Sequence, residues 1–208
     1  MKGLFITFEG SEGSGKSTQS SLLFYYLKQR GFPVLYIREP GSTKIGEKIR
    51  RILLDKKNND MAMPTEMLLY MASRAQLVRQ VILPALKKGK SVVCDRFLDS
   101  TLAYQGYGAG LDLGTIRTIG RFATLSLKPD LTIFLDLKTK DGLKRAGKIK
   151  DRIEMRAVSY HERVRQGYLL LALKEPQRIK VVRVNYFKTE TQKQIRELAE
   201  GLLCRLKR

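Results

Sequence analysis

The nine residues GSEGSGKST (10–18) constrain this chain more than any other stretch, because of what flanks them. They follow the apolar run LFITF (4–8) and precede TQSSLLFYYLKQRG, whose apolar spacing near 3.6 is that of a helix. Strand, glycine-rich loop matching G-x-x-x-x-G-K-[ST] and helix, in that order, spell a phosphate-binding loop. Gly10 and Gly15 permit backbone angles that turn successive N–H groups toward phosphate oxygens, with Ser11, Glu12, Gly13 and Ser14 forming the cradle between them. Lys16 is expected to reach the β and γ phosphates, Ser17 to offer its hydroxyl to Mg²⁺, and Thr18 to lead into a helix whose positive end faces the anion. An acid at position 12, inside a cradle for polyphosphate, needs a reason of its own.

Further strand-like runs recur along the chain: PVLYI (33–37), SVVC (91–94), LTIFLDL (131–137) and IKVVRV (179–184). They are short and rich in β-branched residues, as buried parallel strands are. Between them lie helical patterns, notably PTEMLLYMASRAQLVRQVILPALKKG (64–89), with a kink expected near Pro84, and a C-terminal helix opened by Thr189. The alternation predicts one α/β domain over residues 1–208, with a parallel sheet between helical layers.

Forty Lys and Arg against twenty Asp and Glu give a net charge of +20, a field that attracts nucleotides, nucleic acid or acidic membranes without choosing among them. The basic residues are scattered rather than gathered in a stripe, and no nucleic-acid motif is visible, so nucleic acid is not the expected partner. No apolar run approaches the roughly 20 residues of a membrane span. The N-terminal apolar stretch is too short for a secretory signal, and Cys94 and Cys204 read as reduced thiols. A cytoplasmic protein is expected.

The run SVVCDRF (91–97) places an acid at the end of an apolar strand, the usual second anchor for Mg²⁺ beside a phosphate-binding loop. Asp95 is that candidate. Arg96 then falls at the carboxyl edge of the sheet, where open α/β folds bind ligands and a guanidinium can hold phosphate bidentately.

Taken together, FEGSEGSGKST (8–18), REPGST (38–43), GEKIRRILLD (46–55), LLYMASRAQ (68–76), DRFLDSTLAYQG (95–106), DRIE (151–154) and HERVRQGYLLLA (161–172) closely resemble the thymidylate kinases. The resemblance runs nearly end to end. It implies a P-loop kinase fold, a five-stranded parallel sheet flanked by helices with a short mobile lid, and transfer of the ATP γ-phosphoryl group to dTMP with Mg²⁺. It also implies a homodimer formed by helix packing. By the same resemblance, Tyr70 and Arg74, four apart on one helix, hold the thymine. Ser100, Thr101, Tyr104 and Gln105 contact base and sugar, and Arg38 and Pro40 shape the acceptor pocket. Family members usually read REPGGT where this chain has REPGST, so Ser42 puts the backbone of that turn in question.

A phosphate monoester acceptor has a second pKa of about 6 and needs no general base at neutral pH. The chemistry is then electrostatic, and a surplus of cations is expected around the moving phosphoryl group. The segment LKRAGKIKDRIEMR (143–156) offers Lys144, Arg145, Lys148, Lys150, Arg152 and Arg156, and resembles the lid of nucleoside monophosphate kinases. Arg152, then Arg145, are expected at the transition state, alongside Lys16, Arg96 and Glu12. His161 is expected on the surface, and adenine near residues 183–186. Two rivals stay open: a kinase for a different acceptor, in which Glu12 or Glu39 would act as base on a deoxynucleoside hydroxyl, and a nucleic-acid binder. Within the family, an acidic loop goes with catalytic cations in the lid, as SEGS and KRAGKIKDR do here. Glu12 could then accept from the sugar 3′-hydroxyl of dTMP, directly or through water, or help organise Mg²⁺, and the sugar side is the one expected.

Overall fold

The computed structural model describes residues 3–145, 147 and 151–206, and the side chains as far as residue 203. The lid cations Lys148 and Lys150, and the expected thiol of Cys204, lie outside the described residues and side chains. Five strands form one parallel sheet: β1 (Phe5–Glu9), β2 (Val34–Arg38), β3 (Ser91–Asp95), β4 (Leu131–Asp136) and β5 (Ile179–Arg183). Their order across the sheet is β2-β3-β1-β4-β5. Each strand falls where an apolar run predicts it. Register places Asp95 opposite both Phe8 and Arg38, so the carboxyl ends of the three strands meet at one edge.

Helices cover both faces. On one, α1 (Lys16–Gln29) and α9 (Lys188–Leu206) enclose Leu23, Leu27 and Ile195 against the sheet's Leu4, Ile6 and Ile133. On the other, α3 (Met63–Leu77), α6 (Leu113–Thr124) and α8 (Val158–Lys174) pack through Met67, Met71, Ile116, Val164 and Tyr168. Shorter helices are α2 (Lys44–Leu54), α4 (Leu83–Lys87), α5 (Leu98–Thr101) and α7 (Thr139–Arg145).

Two helices depart from simple α geometry. The long pattern 64–89 passes through a π-helical stretch at Val78–Ile82 just before Pro84, where a kink is expected. Proline has no N–H to give the preceding turn, and the wider turn accommodates that loss. After α5 the chain again widens into a π-helix, Leu102–Gly108, with Ala109 N–H donating to Tyr104 O at 3.0 Å. Among the described residues no helix is long and apolar enough to cross a membrane.

His161 is buried, 1% exposed, which corrects the surface placement expected for it. On α8 it shares an inward face with Tyr160, Val164 and Tyr168, and its ring meets Tyr160 edge-on at 5.3 Å. The charged residues that suggested an exposed helix occupy the opposite side.

Candidate active site

The phosphate-binding loop leaves β1 at Glu9 and enters α1 through Gly15, whose φ of 84° is left-handed and disfavoured for residues with a side chain. Gly13 is also left-handed, φ 68°, and a Cβ there would strike the carbonyl of Gly142 in α7. Loop and helix are therefore in direct backbone contact. Ser14 Oγ donates to Ser11 O at 2.8 Å, and the Lys16 ammonium donates to the same carbonyl at 2.9 Å. Burial and the nearby Arg96 push the Lys16 pKa down, partly offset by Glu12, Asp95 and Glu9.

Opposite the loop, β3 delivers Asp95 and Arg96 in succession. Ser17 Oγ donates to Asp95 Oδ2 at 2.5 Å. A hydroxyl and a carboxylate converging beside the lysine form a hard oxygen donor set, which suits Mg²⁺. Arg96 turns the other way because its backbone is left-handed, φ 71°, a conformation that costs about 1–2 kcal/mol in a residue with a side chain. Its guanidinium donates to Glu12 Oε1 at 2.8 Å, Gly10 O at 3.0 Å and the Tyr104 hydroxyl at 3.1 Å.

Glu12 is thus a partner of the arginine, and Tyr104 Oη donates to it as well, at 2.7 Å. Burial would raise the Glu12 pKa, but Arg96, Lys16 and the Tyr104 hydroxyl overcome it and hold the carboxyl at about 2.

Beneath these groups sits Glu9, fully buried at the end of β1. It accepts from Phe97 N at 2.8 Å, Ser100 Oγ at 2.5 Å and Tyr168 Oη at 2.9 Å. Burial, then Asp99, lifts its pKa to about 7 against the opposing effects of the Ser100 hydrogen bond and Arg96. Glu9 lies within the quoted run FEGSEGSGKST, but nothing local marks its role, because the donors that gather on it come from 88 to 159 residues further along the chain.

A cavity of about 230 Å³ opens at this edge. Glu12, Lys16, Ser17, Arg38, Glu39, Pro40 and Tyr70 line it. So do Asp95, Arg96, Ser100, Thr101, Tyr104 and Gln105. The last four share the cavity even though they span the start of the π-helix, where simple four-residue spacing does not apply. The rest of the loop, Gly10, Ser11, Gly13, Ser14 and Gly15, frames the lysine, with Thr18 exposed at the start of α1.

Three expected residues do not line the cavity. Arg74 is 1% exposed and lies behind the wall, donating to Glu39 Oε2 at 2.7 Å, Thr101 Oγ1 at 3.0 Å and Phe97 O at 3.0 Å. Burial lifts the Glu39 carboxyl even beside this guanidinium. Arg152 is held in a buried pair with Glu66 at 2.5 Å and donates to Leu53 O at 2.9 Å. Its charge is engaged by Glu66 in this structure, away from the cavity lining. Arg145 is exposed at the end of α7. The lining instead includes Arg50, Asp151 and Glu154. Arg50 lay in the quoted run GEKIRRILLD, where helical phase alone did not separate it from Arg51. Ser42 adopts φ 61° as a glycine would, and its Oγ accepts from Arg38 N at 2.9 Å and donates to Arg38 O at 3.0 Å.

A parallel sheet with a phosphate-binding loop after its first strand and a serine–aspartate pair beside the lysine defines the P-loop α/β class of nucleotide-binding proteins. Comparison with known proteins narrows that class. The thymidylate kinase family profile matches residues 8–195. A thymidylate kinase from Symbiobacterium thermophilum is 49% identical over 203 residues, covering 97% of this chain and 95% of that one. Another, from Pelotomaculum thermopropionicum, is 50% identical over 185 residues, 88% and 86% of the two chains. The crystal structure of thymidylate kinase from Ehrlichia chaffeensis superposes with a TM-score of 0.78 at 33% identity, covering 96% of this chain and 99% of that one. The chain belongs to the thymidylate kinase family.

Proposed function

We propose that this protein transfers the γ-phosphoryl group of ATP to dTMP, giving dTDP and ADP. The observation that carries the reading is one cavity that the loop lysine lines together with Arg96, Glu12, Tyr70 and Gln105. ATP phosphates take the loop N–H groups and Lys16. The acceptor phosphate takes Arg96, its sugar hydroxyl Glu12, and its base the wall of Tyr70, Thr101 and Gln105, with Ser100, Tyr104, Arg38 and Pro40 around it. An acceptor phosphate oxygen forms the new bond to the γ-phosphorus as the bond to the ADP oxygen breaks. The acceptor oxygen is already ionised, so no proton needs to be removed. Lys16 and Arg96 hold the spread negative charge. Ser17 and Asp95 would hold Mg²⁺, which would supply charge neutralisation on the donor phosphates.

A carboxylate held at about pKa 2 is a poor base, and Glu12 is so held. That disfavours Glu12 as the base for a deoxynucleoside hydroxyl. Residues 143–156 serve in this reading as a lid over ATP, with Arg145 as a candidate phosphate contact and adenine near residues 183–186. The exposed Leu68 on α3 and Phe122 on α6 supply apolar surface for a homodimer. The protein works on these nucleotides in the cytoplasm, with neither membrane nor nucleic acid as partner.

The deciding experiment measures ADP release from Mg-ATP with dTMP, dUMP, UMP, dCMP, AMP and thymidine. dTMP should be used best. Thymidine outpacing dTMP would overturn the mechanism.

A further inference from the structure

Glu66 lies outside every motif quoted above, yet it is 0% exposed at the start of α3 and three N–H donors converge on it. Gln105 Nε2 donates to its Oε1 at 2.8 Å. Arg152 Nη2 and Arg156 Nη2 donate to its Oε2 at 2.5 and 2.6 Å. Both arginines come from the segment that follows residue 150, and each is fixed elsewhere as well. Arg152 Nε donates to Leu53 O at 2.9 Å, and the Arg156 guanidinium lies over the Tyr160 ring at 4.5 Å.

The amide of Gln105 has one end that donates and one that accepts. Against a carboxylate oxygen only the donating end is favourable. The reverse orientation would set two acceptors face to face in a site closed to water, losing the bond and leaving both unpaired. Glu66 therefore decides which way the amide lies, and the two arginines hold Glu66 in place to do it. The amide oxygen is the atom left for a ligand in the cavity that Gln105 lines.

We propose that Glu66 is the specificity-setting positioning residue of the acceptor site: by fixing the Gln105 amide it makes the site demand a ring N–H. Thymine and uracil carry an N–H at ring position 3. Cytosine carries a bare nitrogen there, an acceptor that would face the amide oxygen. A site built to pair with a donor rejects a ligand lacking it far more strongly than an apolar pocket rejects a change of shape. This inference rests on the proposed acceptor reading and adds to it a residue that touches no substrate.

The test compares dTMP with dCMP as acceptors, using Mg-ATP, in the unmodified protein and in Glu66→Gln. A glutamine at position 66 can donate or accept, which frees the amide of Gln105 to turn. The dTMP-over-dCMP ratio of kcat/KM should fall about tenfold or more, through KM for the acceptors, with KM for ATP changed by less than about twofold. The double variant Glu66→Gln/Gln105→Glu restores a donor–acceptor pair with only acceptors facing the cavity, and the ratio should recover. A folded Glu66→Gln protein with the ratio unchanged, or a folded double variant without recovery, overturns the proposal. If neither variant unfolds cooperatively in urea, the unmodified protein decides. dTMP methylated at ring N3 should compete at least about tenfold more weakly than dTMP, and equal competition overturns the proposal. An unmodified protein that does not use dTMP at all instead overturns the function proposed above. The two failures are thus distinct.

Discussion

Arg96 Nη2 donates to Glu12 Oε1 at 2.8 Å, joining the turn after β3 to the middle of the phosphate-binding loop. The acid that looked misplaced among phosphates is the counter-charge of Arg96, the arginine proposed to face the acceptor. Glu12→Gln should therefore raise KM for dTMP several-fold and leave KM for ATP within about twofold. Equal loss for both nucleotides would place Glu12 on the donor side. Because its carboxyl sits at about 2, Glu12 stays charged above pH 4, so the substitution should neither create nor remove a limb of the pH–rate profile between pH 5 and 9.

Lys16 faces the cavity from the loop. Lys16→Ala should lower turnover by about a thousandfold or more while leaving the circular dichroism spectrum and the urea midpoint near those of the unmodified protein. Near-normal turnover would remove the phosphate-loop assignment.

Arg74 carries a different prediction from the one its motif suggests. Its guanidinium neutralises a buried carboxylate, Glu39, whose other oxygen is buried without a hydrogen-bond partner. Arg74→Ala removes the partner of Glu39, Thr101 Oγ1 and Phe97 O among buried groups and should cost about 3–5 kcal/mol of stability in urea unfolding. A loss confined to KM for dTMP, with the urea midpoint unchanged, would return Arg74 to the substrate.

Glu9 gives a pH signature. Its folded pKa is about 7, raised from 4.5. Between those values the folded protein keeps a proton that the unfolded chain has released, so unfolding free energy falls as pH rises. The contribution is fully present below the unfolded pKa and lost as pH passes the folded one. The stability difference between the unmodified protein and Glu9→Gln should shrink by up to about 3 kcal/mol from pH 4.5 to pH 7. A difference flat across that window counts against the assignment.

Ser42 holds a left-handed backbone with two hydrogen bonds from one hydroxyl. Ser42→Ala keeps the strain and loses the bonds, whereas Ser42→Gly loses the bonds and relieves the strain. The alanine variant should be less stable than the glycine variant by about 1 kcal/mol in thermal unfolding. The reverse order would mean that the left-handed backbone at position 42 carries no such strain.

The sheet was legible because each strand announces itself locally, as a short β-branched run beside a turn. The loop, Asp95 and Arg96 were legible for the same reason, since strand ends place them. What the sequence hid are partnerships across long separations. Nothing near Arg152 points to Glu66, 86 residues earlier, nor does anything near Arg74 point to Glu39, 35 residues earlier. A cation read without its partner looks available for substrate. His161 was misplaced by a related error, since the charges around it describe the helix's other face. The turn at Ser42 kept glycine-like geometry, and only the coordinates show the hydroxyl compensating for the side chain.

Asp95 and Arg96 are neighbours in the chain, yet one meets Ser17 and the other meets Glu12. In the proposed reaction one residue faces the donor half of the site and the next faces the acceptor half, divided by a single trans peptide unit of about 3.8 Å between α-carbons. Helices around the cavity can breathe, and side chains can change rotamer, without altering that interval. The ruler between the two nucleotides is a covalent one, anchored in the middle strand of three, and the left-handed turn at Arg96 is the mark at which it changes direction.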